Sequence, residues 1–220
     1  MEFKIVGKPA FAYVDVYIEP GEKFVAEADA MASMSSQLDM KAKLNGGLLK
    51  GLVRKFLGGE SLFINHFQNN GNDKMRLTLT QSTPGDIMQK EINGEIIYLQ
   101  PGAYICSTKD VKVKTVWAGF LSWIGGEGLF RLKVSGNGTF FFGAYGCLIE
   151  KEINGEYIVD TSHLVSYSPG MKIKQQLSGN LISSITSGEG LVTRIEGQGK
   201  IIVQTRSISG LTSWLNRYLY

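Results

Sequence analysis

The hexapeptide Lys-Glu-Ile-Asn-Gly-Glu occurs twice in this chain, at Lys90 to Glu95 and at Lys151 to Glu156, each time running into an apolar stretch. A second motif, Gly-Glu-Ser/Gly-Leu-Phe/Val, occurs three times, at Gly59 to Phe63, Gly126 to Phe130 and Gly188 to Val192. With Pro20-Gly21-Glu22 taken as the first copy of the hexapeptide's Gly-Glu, the distances from Glu22, Glu95 and Glu156 to Glu60, Glu127 and Glu189 are 38, 32 and 33 residues. A period of this kind constrains architecture more than any single motif can, because each copy must build the same supersecondary unit. The chain therefore reads as three β units, at 1–81, 82–145 and 146–206, forming one compact pseudo-threefold body, with 207–220 as a C-terminal helix or tail.

Composition supports an all-β reading. Twenty-seven glycines against five prolines fall in pairs or Gly-x-Gly spacings between short apolar runs, the punctuation of a turn-rich β protein. Asn93-Gly94 and Asn154-Gly155 predict hairpin turns, since a type I′ turn needs positive φ at both central residues and Asn and Gly bear it best. Further turns are expected at Asn72-Asp73, Gly136–Gly138 and Gly197–Gly199, each followed by a strand. Alternation of Val14, Val16 and Ile18, of Val111, Val113 and Thr115, and of Ile201, Val203 and Thr205 predicts strands with one buried face. On the last of these, Ile202, Gln204 and Arg206 are expected to face outward and become polar towards the end.

Three segments break the β pattern. Leu48, Leu49, Leu52, Val53, Phe56 and Leu57 fall on one half of a helical wheel opposite Lys50, Arg54 and Lys55, which predicts a basic amphipathic helix. It serves either a membrane surface or partner, with Leu49, Leu52 and Phe56 as contacts, or covers one end of its own sandwich. The equivalent stretch of the second unit, Trp117 to Ile124, is uncharged and carries Trp117, Phe120 and Trp123. It is expected in the core or in a contact between copies of the chain. Leu211, Trp214, Leu215, Tyr218 and Leu219 share a face of a short closing helix.

Chemistry is sparse. The only two histidines, His66 and His163, lie in different units, and neither sits in a metal-ligand spacing. Asp160-Thr161-Ser162-His163 holds the residue types of a hydrolase triad, but adjacent residues on one strand cannot supply its geometry. The Gly-Glu-Gly motifs lack the Lys-Ser/Thr of a phosphate loop. Glu60, Glu127 and Glu189 recur in every unit; they form either a functional ring about a threefold axis or acceptors for turn backbone N–H groups. Neither an enzyme, nor a cofactor, nor a metal is expected. A net charge of +3 gives no reason to expect nucleic acid. The N-terminus lacks a secretory pattern and no run is long enough to span a membrane, so the chain reads as cytoplasmic. Cys106 and Cys147 read as buried thiols.

Several motifs in order carry a resemblance over nearly the whole chain: Pro20-Gly21-Glu22 with Asp29 to Met34, Gly58 to Asn65, Pro84-Gly85-Asp86-Ile87, Gly125 to Phe130, Val159 to Val165 and Gln204-Thr205-Arg206. Together they resemble the altered-inheritance-of-mitochondria family, whose bacterial and archaeal members are mostly of unknown function. The resemblance implies three sandwich-like β units, similar in fold to the subunit of the tryptophan RNA-binding attenuation protein, and carries no catalytic residues. The expectation for function is a scaffold or interaction protein that forms a homo-oligomer and touches a membrane surface. The alternative is a ligand- or RNA-binding β module.

Overall fold

The computed structural model describes residues 1–44, 63–117, 130–177 and 191–219. Its strands form two antiparallel systems. The smaller sheet has the order β1 (Glu2–Val6), β2 (Tyr13–Ile18), β7 (Met75–Thr80), β4 (Met31–Met34). Strict alternation builds it: Val14, Val16 and Ile18 on β2 and Met75, Leu77 and Leu79 on β7 are all buried, while Tyr13, Asp15 and Tyr17 pair with Thr80, Thr78 and Arg76 on the other face. Each of these buried side chains contributes about 1.5–3 kcal/mol relative to exposure.

The larger system follows the path β13 (Leu148–Asp160), β16 (Leu191–Gln204), β14 (Leu164–Tyr167), β9 (Ile97–Leu99), β12 (Phe130–Gly143), β10 (Tyr104–Thr108), β3 (Lys23–Glu27), β6 (Phe63–Gln68), β5 (Asp39–Leu44). Off this path, β8 (Ile87–Asn93) and β11 (Val111–Trp117) pair with β12, and β15 (Lys172–Leu177) pairs with β16. One α-helix, α1 (Ile208–Asn216), follows β16, and Ser207 caps it by accepting from the Gly210 N–H at 3.1 Å. The chain is all-β with this one helix among the described residues.

The glycines sit where they were expected but do different work. Glu19-Pro20-Gly21-Glu22 is a turn closed by the Glu22 N–H on the Glu19 carbonyl at 3.1 Å. Gly21 takes φ +80° after a proline, the sequence of a type II turn. Asn93-Gly94 and Asn154-Gly155 are not hairpins. Only the glycines take positive φ, whereas a type I′ turn needs it at both residues. Gly155 lies inside the continuous strand β13 opposite Gly197. Gly94 lies between β8 and β9, which run in one direction along the same partner β12. Gly136–Gly138 and Gly197–Gly199 likewise fall inside the 14-residue strands β12 and β16 rather than before new ones. Paired glycines on adjoining strands let both bend sharply and pass from one packing layer to the next.

The end of β16 also departs from simple alternation, because Ile201, Ile202, Val203 and Gln204 are all buried. Ile201 and Val203 pack with Ile153, Leu164 and Ile195, whereas Ile202 joins a second core with Leu99, Phe140 and Phe142. A strand covered on both faces has no polar side to show. A third core, containing Phe24, Phe67 and Phe141, lies under the small sheet. Phe3 packs on it, with its ring 5.2 Å from Phe141 and 5.8 Å from Phe24.

Asn69 is fully buried beside this core. Its amide donates to the carbonyls of Ile18 and Asp73, both at 2.8 Å, and accepts from the Gly71 N–H at 2.9 Å. Asn69→Ala strands three backbone groups, and a loss of about 2–3 kcal/mol in urea unfolding is expected.

The same two-for-one bulge occurs in three strand pairs. Met31 and Ser33 oppose Leu79 and Thr78; Tyr104 and Cys106 oppose Phe142 and Phe141; Leu164 and Ser166 oppose Val203 and Ile202. Three hairpins, β5–β6, β11–β12 and β15–β16, flank residues 45–62, 118–129 and 178–190. The expected helix over 48–57, with Leu49, Leu52 and Phe56, lies outside the described residues. So do Phe120, Trp123, Glu60, Glu127 and Glu189. Trp117 is the last residue of β11, opposite Phe130.

Candidate functional site

The polar motifs that fall within the described residues are held by local partners, most of them backbone. Asp160 ends β13 and caps a single 3-10 turn, Thr161–His163, accepting from the Ser162 N–H at 2.8 Å and the Ser162 hydroxyl at 2.7 Å. His163 Nδ1 lies 2.6 Å from the Gln204 carbonyl oxygen, and the Thr193 hydroxyl donates to that of Thr161 at 2.9 Å. The four residues form a strand terminus instead of a triad. Gln204 is buried beside them. Its Nε2 donates to the Ser162 carbonyl at 2.9 Å, and its Oε1 accepts from the Tyr145 N–H at 3.1 Å.

Pro84-Gly85-Asp86 acts in a similar way. Gly85 bridges to Gly146, and a Cβ at Gly85 would stand 1.9 Å from the Ala144 carbonyl oxygen. Asp86 Oδ1 accepts from the Ile87 N–H at 2.8 Å and lies 3.4 Å from Lys8 Nζ. His66 lies within β6 between Val25 and Lys41. Cys106 is buried and Cys147 half-buried, and both are free thiols; burial pushes the Cys106 thiol well up from its ordinary range. Among the described residues no three His, Cys, Asp or Glu side chains come together as a metal site.

Two surfaces remain. The first is an open groove of about 480 Å³ on the outer face of the small sheet, lined by Tyr13, Ser33, Met34, Arg76, Thr78 and Thr80. Asp15, itself buried, holds two of these residues in place. It accepts from Arg76 Nε at 3.0 Å and Nη2 at 2.7 Å, and from the Thr78 hydroxyl at 2.7 Å. The hydrogen bonds and charge of Asp15 hold the half-exposed Arg76 guanidinium protonated even above its ordinary range. Lys4 stands opposite Asp15 on β1. The outcome is a fixed guanidinium beside hydroxyls and a tyrosine, an arrangement suited to a polar or anionic ligand. The alternation of Arg76, Thr78 and Thr80 is visible in the sequence, whereas their meeting with Asp15, over sixty residues away, is not.

The second surface is α1. None of its residues is buried. Ile208, Trp214 and Leu215, with Tyr218 and Leu219 just beyond, are exposed, Trp214 at 53% and Tyr218 at 71%. The rings of Trp214 and Tyr218 pack on each other at 5.0 Å. No helix among the described residues is long and apolar enough to cross a membrane.

An uncharacterised protein of Streptococcus pyogenes serotype M6 is 27% identical over 228 residues, an alignment that covers all of this chain and 91% of that protein. A crystal structure of a Streptococcus pyogenes protein superimposes with a TM-score of 0.81 at 26% identity, covering 99% of each chain. The family model described as Mitochondrial biogenesis AIM24 matches residues 3–206, the span that carries the Gly-Glu spacing and, but for Glu2 of β1, the strands β1 to β16, and the chain belongs to that family.

Proposed function

We propose that this protein is a non-enzymatic scaffold or interaction protein that self-associates and contacts a membrane surface peripherally. The observation that carries the reading is α1, a capped helix with no buried residue and with Ile208, Trp214 and Leu215 exposed. Exposed Trp, Tyr and Leu next to Arg217 suit an interface where apolar surface meets headgroups or a partner. The engagement of Asp160, His163, Gln204 and Asp86 with backbone partners supports a role without chemistry.

On this reading the body is three copies of one β unit, with limits at 1–81, 82–145 and 146–206. The recurring bulge and the three hairpins support that division. The limits fall between β7 and β8, between β12 and β13, and after β16.

Sedimentation velocity over a concentration series and flotation with anionic vesicles test the proposal. The sedimentation coefficient is expected to rise with concentration, and the protein is expected to float. Replacing Trp214 and Leu219 by Glu is expected to weaken vesicle binding by at least about tenfold, since each buried methylene contributes about 0.8 kcal/mol. A protein that stays monomeric and ignores the vesicles would overturn the reading. A second reading, a ligand- or RNA-binding β module, is favoured by one observation, the Arg76 and Tyr13 groove. Binding of a small anion or single-stranded RNA that is lost in Arg76→Ala would support it.

A further inference from the structure

Strand pairing joins successive parts of the chain in one repeated register. At the first junction, β10 pairs with β3: Cys106 opposes Ala26 and Ser107 opposes Val25. At the second, β14 pairs with β9: Ser166 opposes Leu99 and Tyr167 opposes Tyr98. The two are equivalent by an independent measure. Cys106 and Ser166 are the residues immediately after the bulge in their pairs with β12 and β16. Ala26 and Leu99 lie two positions beyond the inward pairs Phe24–Phe67 and Ile97–Val134.

The same geometry exists on two further strands that do not meet. Ser33 follows the bulge on β4, and Val159 lies two positions beyond the inward pair Tyr157–Ile195 on β13, a pair that stands one residue nearer its Gly-Glu than Phe24 and Ile97 do to theirs. Among the described residues β4 pairs only with β7, and β13 only with β16. Against the described residues each therefore leaves one edge open. The consequence shows in burial: Val25 is 7% exposed and Tyr98 stacks on Tyr167 at 5.1 Å, whereas their equivalent Ile158 is 53% exposed.

We infer that the β4 edge of one copy pairs with the β13 edge of a second copy, placing Ser33 opposite Val159 and Met34 opposite Ile158 across copies. This deepens the self-association part of the proposed function and rests on it. The occupant is a second copy because the two open edges are the two halves of a junction the chain already makes twice within itself. An unpaired edge is a template for another strand, and the apolar Met34 and Ile158 would cover each other. The contact joins two different surfaces, so it is heterologous and produces a ring or a filament according to the rotation per copy.

The Ser35 N–H donates to the Arg76 carbonyl on β7 at 2.9 Å. Successive N–H groups of a strand alternate in direction, so the Met34 N–H points to the open edge. Met34→Pro removes that donor without taking a bond from the small sheet, and Ile158→Lys puts a charge on the other edge at an exposed position. Each variant alone is expected to sediment as a monomer where the wild type associates. Because each keeps one good edge, an equimolar mixture is expected to form a dimer and stop there.

Hydrogen exchange on the unmodified protein supplies a readout independent of how the variants fold. Amides of 31–35 and of 157–160 are expected to slow together by about tenfold or more between dilute and concentrated samples. Protection confined to α1, or to one edge alone, or association of either folded variant like wild type, would overturn this inference while leaving self-association standing. A wild-type protein monomeric at every concentration would remove the proposed self-association itself.

Discussion

Phe141→Ala is expected to lower unfolding stability by about 4 kcal/mol, within the range for removal of a buried aromatic side chain. Phe141 has no exposed surface, and it projects from β12 into the core under the small sheet, among Phe24, Phe67, Leu77 and Leu79. Its ring meets Phe3 edge-on at 5.2 Å, a contact worth about 0.5–1.5 kcal/mol beyond area burial. Phe3 belongs to β1, so the loss also loosens the outermost strand of the small sheet. Urea denaturation followed by tryptophan fluorescence and by far-UV circular dichroism measures it. A loss below about 2 kcal/mol would mean that β1 collapses into the space, because a site that closes its cavity escapes most of the penalty.

Gly136→Ala is expected to cost about 3 kcal/mol or more, through two effects that add. Gly136 takes φ +102°, where an L side chain is strained by about 1–3 kcal/mol. A Cβ there would also stand 2.3 Å from the Asp110 carbonyl oxygen, so the backbone at the start of β11 must move. Gly155→Ala separates the two. Gly155 has φ +113° and nothing within 4 Å of its Cβ position, so only the conformational part applies, about 1–2 kcal/mol. Equal losses for the two variants would show that the contact at Asp110 is relieved at no cost.

The strand faces of β2 and β7 and the need for glycine at fixed points were legible along the chain, because these are local properties with a short period. The candidate groove was legible only in part. Arg76, Thr78 and Thr80 announce an outward face, but Asp15 becomes the buried partner of Arg76 and Thr78 only once β2 and β7 pair in register. Asn69 gave no signal, since a polar residue beside Asn70 and Gly71 reads as an ordinary loop; its carbonyl partner Ile18 lies fifty-one residues away. The apolar residues of α1 read from the sequence as one helical face, and no residue of that helix is buried against the described residues.

The hexapeptide Lys-Glu-Ile-Asn-Gly-Glu marks the boundary between the two kinds of information. By itself it determines a strand that reaches a glycine of positive φ, and both copies do so. Whether that glycine breaks the strand is decided by the partner. Opposite β12, the three residues 94–96 face only Ser135 and Gly136, so the register slips and β8 gives way to β9. Opposite β16, residues Asn154, Gly155 and Glu156 face Gln198, Gly197 and Glu196 one for one, and β13 runs through unbroken. The same holds for edges: the sequence determines which segments are strands, but an edge is open or covered according to pairings made across the whole chain. A local string carries conformational preference, whereas register and edge coverage are properties of strands brought together from far apart.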